Sequence, residues 1–156
     1  MTAETAMTIT LHPGDVALGQ HGDTLETLLG SCVAIVITDP RRTVGAMCHI
    51  VHSRPAPSHA RATGAHADVA LDTMVGLLKQ RGITARLCEA YVYGGGNMFP
   101  QLEQGSRVGD DNADWALDAL SALGIRVLAV DLGGAAYRRL NWTVGHGAPQ
   151  VITTAV

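Results

Sequence analysis

The sequence predicts an α+β fold: mixed β-sheets in a layered sandwich, with two main helices packed on the outside. Three observations carry that expectation. Short runs rich in Val and Ile, bounded by Gly, Pro and Asp, recur along most of the chain and read as strands. Two stretches instead repeat apolar residues at helical spacing. The resulting order is strands, helix, strand, helix, strands. Two helices cannot cover both faces of a large sheet, so a doubly wound fold fits poorly.

Residues 1–8 are expected to fray. Ile9–Leu11 starts an extended piece that Pro13-Gly14 breaks and Val16–Leu18 continues. Gly19–Asp23 is a polar loop, and Thr24–Leu29 leads to Gly30-Ser31-Cys32. Val33–Ile37 and Val44–Ile50 flank a turn at Asp39-Pro40-Arg41-Arg42 and read as a β-hairpin. With the turn centred between Pro40 and Arg41, Cys32 stands directly opposite His49. Opposed residues share a face, with Cβ atoms about 4.5–5.5 Å apart.

Ser53–Gly64 is an irregular, proline-containing loop. A helix follows from Ala65 or Ala67. Its face is Ala67, Ala70, Leu71, Met74, Val75, Leu77 and Leu78, and Gly82 closes it. Ala85–Tyr93 reads as a strand. Gly94-Gly95-Gly96-Asn97 reads as a loop that walls a site or docks another segment, because three glycines cost backbone entropy and add nothing to a core. Gln101–Gly109 is a polar connector. Asp110 or Asp111 caps a second helix over Asn112–Leu123, which Gly124 ends. Ile125–Val130, Ala136–Val144 and Gln150–Val156 complete the strands. In the middle one, Tyr137, Leu140 and Trp142 are set against Arg138, Arg139 and Asn141.

Composition narrows the function. The 156 residues suit one domain (1–156), and 47% hydrophobic against 16% charged residues marks a foldable chain. A net charge of −3 with no basic block argues against nucleic acid. There is no apolar stretch long enough to span a membrane. Met1–Thr8 carries Glu4 and no Lys or Arg, unlike a signal peptide, so a cytoplasmic protein with free thiols is expected. Of the three cysteines, Cys48 and Cys88 read as small core hydrophobes. His52, His59 and His66 are evenly spaced, but no Cys or carboxylate cluster completes a metal site.

Cys32 and His49 are the candidate nucleophile and base. The pairing is expected to lower the Cys32 pKa. Backbone N–H groups around Gly30, Ser31 and Cys32, or of Gly94, Gly95, Gly96 and Asn97, can form an oxyanion hole. The hydroxyls of Thr27 and Ser31 can join a hydrogen-bond chain. The plain alternative is that Cys32 and His49 are strand residues in a core.

Several blocks then resemble the CheD family of chemoreceptor glutamine deamidases. They are Leu29-Gly30-Ser31-Cys32-Val33-Ala34, Asp39-Pro40, Gly45-Ala46-Met47-Cys48-His49, Gly94-Gly95-Gly96-Asn97-Met98-Phe99 and Asp131-Leu132-Gly133-Gly134. The resemblance implies that Cys32 and His49 are catalytic, with Thr27 as the third residue. It implies a cofactor-free, metal-free hydrolase that converts glutamines of methyl-accepting chemotaxis receptors to glutamates, some members also cleaving glutamyl methyl esters. The implied partners are the receptors' cytoplasmic domains and, in some bacteria, the phosphatase CheC. The chain departs from the family's Arg-Asn pair at Gly109-Asp110-Asp111-Asn112, and from its Leu-Pro after the histidine block at Ile50-Val51-His52-Ser53-Arg54-Pro55. Two rival readings remain: a binding protein of the same fold, and a cysteine hydrolase of another substrate.

Overall fold

The computed structural model describes residues 5–102, 107–145 and 147–156. Nine strands form two sheets. They are β1 (Thr8–Leu11), β2 (Val16–Gln20), β3 (Thr24–Leu29), β4 (Val33–Thr38), β5 (Val44–Ile50), β6 (Glu89–Gly94), β7 (Arg126–Leu132), β8 (Ala136–Thr143) and β9 (Gln150–Ala155). Helix α1 spans Ala67–Gln80 and α2 spans Arg107–Ala122. The four-stranded sheet runs β1-β3-β8-β9 and the five-stranded sheet β2-β5-β4-β6-β7. Both are mixed: β1 lies parallel to β3 and β6 parallel to β7, and the other pairs are antiparallel.

The layers are sheet, sheet and helices, and the burial of β4 and β5 follows from that stacking. Every residue of both strands is buried. Successive side chains alternate between faces. Val33, Ile35, Ile37, Ala46, Cys48 and Ile50 enter the core shared with the helices. Ala34, Val36 and Met47 enter the core shared with Leu25, Leu29, Leu140 and Trp142 of the other sheet. A strand covered on both sides has no polar face to show, hence the continuous Val/Ile run. Cys48 and Cys88 are buried and free, and burial pushes their thiols up to about 12 and about 11.

Four expectations are corrected. Met7 and Thr8 are not frayed: Met7 N donates to Asp23 Oδ1 at 2.9 Å and Thr24 N to Met7 O at 2.8 Å, and Thr8 begins β1. Ala85–Leu87 is a 3-10 turn, and strand geometry starts at Glu89. Helix α2 begins at Arg107, so Asp110 and Asp111 lie inside it rather than capping it. Its buried stripe is Gly109, Asn112, Ala113, Ala116 and Leu120, which is helical spacing with a polar residue in it. In β8 the inward residues are Ala136, Arg138, Leu140 and Trp142, so Arg138 is buried and Tyr137 faces out. Part of the expected connector (103–106) and His146 lie outside the described residues.

Candidate active site

The β4–β5 hairpin carries the candidate nucleophile and base, and its register differs from expectation. His49 faces Ala34, two residues beyond Cys32. The cause is the turn. Arg42 N donates to Asp39 O at 2.9 Å, closing a turn through Pro40, and Arg42 itself takes φ +60. This left-handed residue moves the centre of the hairpin on by one position. The Asp39 carboxylate fixes the result by accepting from Thr43 N, Thr43 Oγ1 and Val44 N. A slip by one residue would have sent His49 to the helix side; a slip of two keeps the parity. Cys32 therefore still packs with the inter-sheet cluster, on the face that His49 shares with Ala34 and Met47.

Thr27 approaches from the other sheet. It is 3% exposed and His49 is 2% exposed. Thr27 Oγ1 lies 2.7 Å from Leu11 O and 2.7 Å from His49 Nδ1. A hydroxyl has one proton, and a carbonyl only accepts. Thr27 therefore donates to Leu11 O and accepts from His49, which places the imidazole proton on Nδ1. Nε2 is left with its lone pair, and it has no hydrogen-bond partner among the described residues. A buried Nε2 without a partner is a costly arrangement, and it suits a base.

Electrostatics make this a neutral pair at rest. Burial lowers the His49 pKa to about 4, with Asp15 opposing that shift and His12 adding to it. Burial raises the Cys32 thiol, which is half-buried. The expected lowering of the Cys32 pKa is thus reversed. The thiol makes no hydrogen bond to Nε2, and desolvation acts on it with no cation to offset it.

The glycine run is a three-way backbone contact. Gly95 N donates to Cys32 O at 2.9 Å, Gly96 N to Gly30 O at 2.9 Å and Asn97 N to Gly134 O at 2.8 Å. These three amides hold the Cys32 loop and the β7–β8 turn, so they are not available to an oxyanion. Among the described residues, the N–H groups of Ser31 and Cys32 donate to no backbone carbonyl. Gly94 and Gly95 take φ +111 and +63, and a Cβ on either would run into backbone carbonyls, of Cys32 and Gly109 respectively. Core packing between main chains, not looseness, explains the glycines.

Two buried polar residues complete the surroundings, and neither was singled out from sequence. Arg138 is 3% exposed. Its guanidinium donates to Asp131 Oδ1 at 3.0 Å, Gly94 O at 3.2 Å and Gly133 O at 2.6 Å. Asn112, 1% exposed, donates from Nδ2 to Ser31 O at 3.1 Å and Val51 O at 3.2 Å. Its sequence signal is a polar residue on the apolar stripe of α2. At the entrance made by the partly exposed Cys32 loop, Met98 and Tyr137 flank Gly30; Leu28, Phe99 and Tyr137 are exposed side chains. Trp115 packs against the helix-side core. The His52 and His66 rings lie with centroids 5.3 Å apart, tilted by 36°, yet no cluster of three potential metal ligands exists among the described residues.

Comparison with known proteins bears on this geometry. The family model described as CheD chemotactic sensory transduction matches residues 52–152. The chain is 33% identical over 141 residues to a probable chemoreceptor glutamine deamidase CheD of Methanococcus vannielii, covering 90% of this chain and 92% of that one. The chain belongs to the CheD family. It is also 35% identical to a probable chemoreceptor glutamine deamidase CheD 2 of Albidiferax ferrireducens, over 89% of this chain and 83% of that one. To a CheD of Pseudomonas fluorescens similarly named it is 32% identical, over 89% and 80%. The family model begins after His49, but matches covering nine-tenths of the chain necessarily include Thr27, Cys32 and His49. CheD membership thus extends over the hairpin and the glycine run alike. No described helix is long and apolar enough to cross a membrane.

Proposed function

We propose that this chain deamidates glutamines of chemoreceptors, with Cys32 as nucleophile, His49 as base and Thr27 as the residue that orients the base. The observation that carries the reading is the Leu11–Thr27–His49 hydrogen-bond chain, which leaves Nε2 without a hydrogen-bond partner among the described residues, on a strand face that packs into the same cluster as Cys32. The names of the CheD relatives supply the substrate class.

The steps follow from the proton positions. His49 Nε2 takes the Cys32 proton as Sγ attacks the glutamine carboxamide carbon. A C–S bond forms and the carbonyl electron pair moves to oxygen, which the Ser31 and Cys32 N–H groups receive. The imidazolium then gives its proton to the amide nitrogen, the C–N bond breaks, and ammonia leaves. Water attacks the thioester with His49 again taking a proton. The C–S bond breaks, the thiolate regains its proton, and glutamate remains. The same steps with a methyl ester expel methanol in place of ammonia. With the imidazole pushed to about 4 and the thiol raised, charge separates only as the bond to substrate forms.

A protein substrate fits the entrance. Cys32 is partly exposed, Tyr137 and Met98 stand beside Gly30 two residues before it, and a receptor helix can present one glutamine there. The partner is the cytoplasmic domain of methyl-accepting receptors, met without insertion into lipid; a CheC-type phosphatase would compete for the same entrance. The test is ammonia release from a purified receptor cytoplasmic fragment by wild type, Cys32→Ala and His49→Gln. Release by wild type alone supports the reading, and equal release by Cys32→Ala refutes it.

A further inference from the structure

We infer that Asn112 is a positioning residue for the oxyanion donor: it sets the direction of the Cys32 N–H. This deepens the deamidase reading and rests on it.

Three consecutive carbonyls of the nucleophile's loop are each held. Gly30 O accepts from Gly96 N and Cys32 O from Gly95 N, both at 2.9 Å. Between them, Ser31 O accepts from Asn112 Nδ2 at 3.1 Å. The described peptide bonds are all trans, so within each peptide unit the carbonyl and the following N–H point in opposite directions. The hydrogen bond to Gly30 O therefore turns Ser31 N–H away from the glycine run. The bond to Ser31 O turns Cys32 N–H away from α2. Neither of these two amides donates to a backbone carbonyl among the described residues.

The second bond from Asn112 sets where that direction is measured from. Nδ2 also donates to Val51 O at 3.2 Å, two residues past His49 on the chain that leaves β5. A carboxamide nitrogen has two hydrogens, and two carbonyls can only accept, so the NH2 group faces both. One side chain thus ties the peptide that presents the nucleophile's N–H to the strand that presents the base. Burial at 1% exposure keeps water from replacing either bond. Asn112 touches neither Cys32 nor His49 side chains through these bonds, so it acts through the backbone of both.

The experiment separates an oxyanion effect from a general loss of structure. Deamidation of a receptor cytoplasmic fragment is compared with alkylation of Cys32 by iodoacetamide, a displacement that develops no oxyanion. Asn112→Ala is expected to lower kcat by roughly 10- to 100-fold with KM little changed, below the ~10²–10³ that deleting a donor outright costs. Alkylation stays within about twofold of wild type, because the thiol and its solvation are untouched. If Asn112→Ala does not fold, Asn112→Ser, which keeps a hydroxyl donor, is measured by the same two readouts and loses kcat by a smaller factor. Unchanged kcat overturns the inference alone, and so does a parallel fall in kcat and alkylation. A wild type that releases no ammonia overturns both the inference and the deamidase reading.

Discussion

Thr27→Val removes one hydroxyl and keeps the shape of the side chain, and two buried groups lose their partner. Leu11 O and His49 Nδ1 each lie 2.7 Å from that oxygen. Leaving a buried donor or acceptor unsatisfied costs ~1–3 kcal/mol, and the extra buried methyl returns about 1 kcal/mol. With both groups unsatisfied the net loss is about 1–5 kcal/mol, a large part of the ~5–15 kcal/mol typical of a domain. The effect on rate has a separate origin. Without Thr27 the imidazole is free to carry its proton on Nε2, where it has no lone pair for the thiol. General-base catalysis contributes ~10²–10⁴, and we expect about 10² of it to go. Urea unfolding reads the first effect and ammonia release from a receptor fragment the second. Thr27→Ser keeps both hydrogen bonds and should keep most of the rate. Full activity in Thr27→Val, or an equal defect in Thr27→Ser, refutes the assigned tautomer.

Acid should destabilise the fold through His49. Above pH 6.5 the imidazole is neutral in folded and unfolded chains; between 6.5 and about 4 the unfolded chain binds a proton that the buried ring refuses, so stability falls as pH falls. The loss reaches up to ~3 kcal/mol across that window, and urea midpoints at several pH values should flatten in His49→Gln. Cys32 alkylation should keep rising beyond the ordinary thiol value of 9.0, since burial raises this group; a plateau at neutral pH would show an ion pair instead. Gly109→Ala forces a Cβ onto the backbone of Gly95 and Gly96, costing roughly 2–4 kcal/mol and, at ~2–4 °C per kcal/mol for a chain of this size, lowering Tm by about 4–16 °C. An unchanged melting curve would contradict the close approach of α2 to the glycine run.

The hairpin was legible because β4 and β5 are apolar on both faces, and its ends agree with the Val/Ile runs to within a residue. Its register was not, because a left-handed Arg42 leaves no trace in composition. Parity survived the error, so Cys32 and His49 still share a face. The start of α2 was hidden by Gly109, Asp110 and Asp111, which look like loop and cap residues but form its first turns. Arg138 was assigned outward because charge suggests solvent. Its burial depends on carbonyls of Gly94 and Gly133 that come from distant parts of the chain. The glycine run was recognisable as unusual, yet its reason is a contact with Cys32 and Gly109, which no local pattern encodes. Asn112 needed both the helix boundary and the loop position before its two acceptors could be seen.

The most direct test is mass spectrometry of receptor glutamines after incubation with the wild type and with Cys32→Ala. The account predicts conversion of particular glutamines to glutamate by the wild type and none by the variant, with both proteins equally folded. Conversion at the same sites and rate by Cys32→Ala would contradict the assignment of Cys32 as the nucleophile.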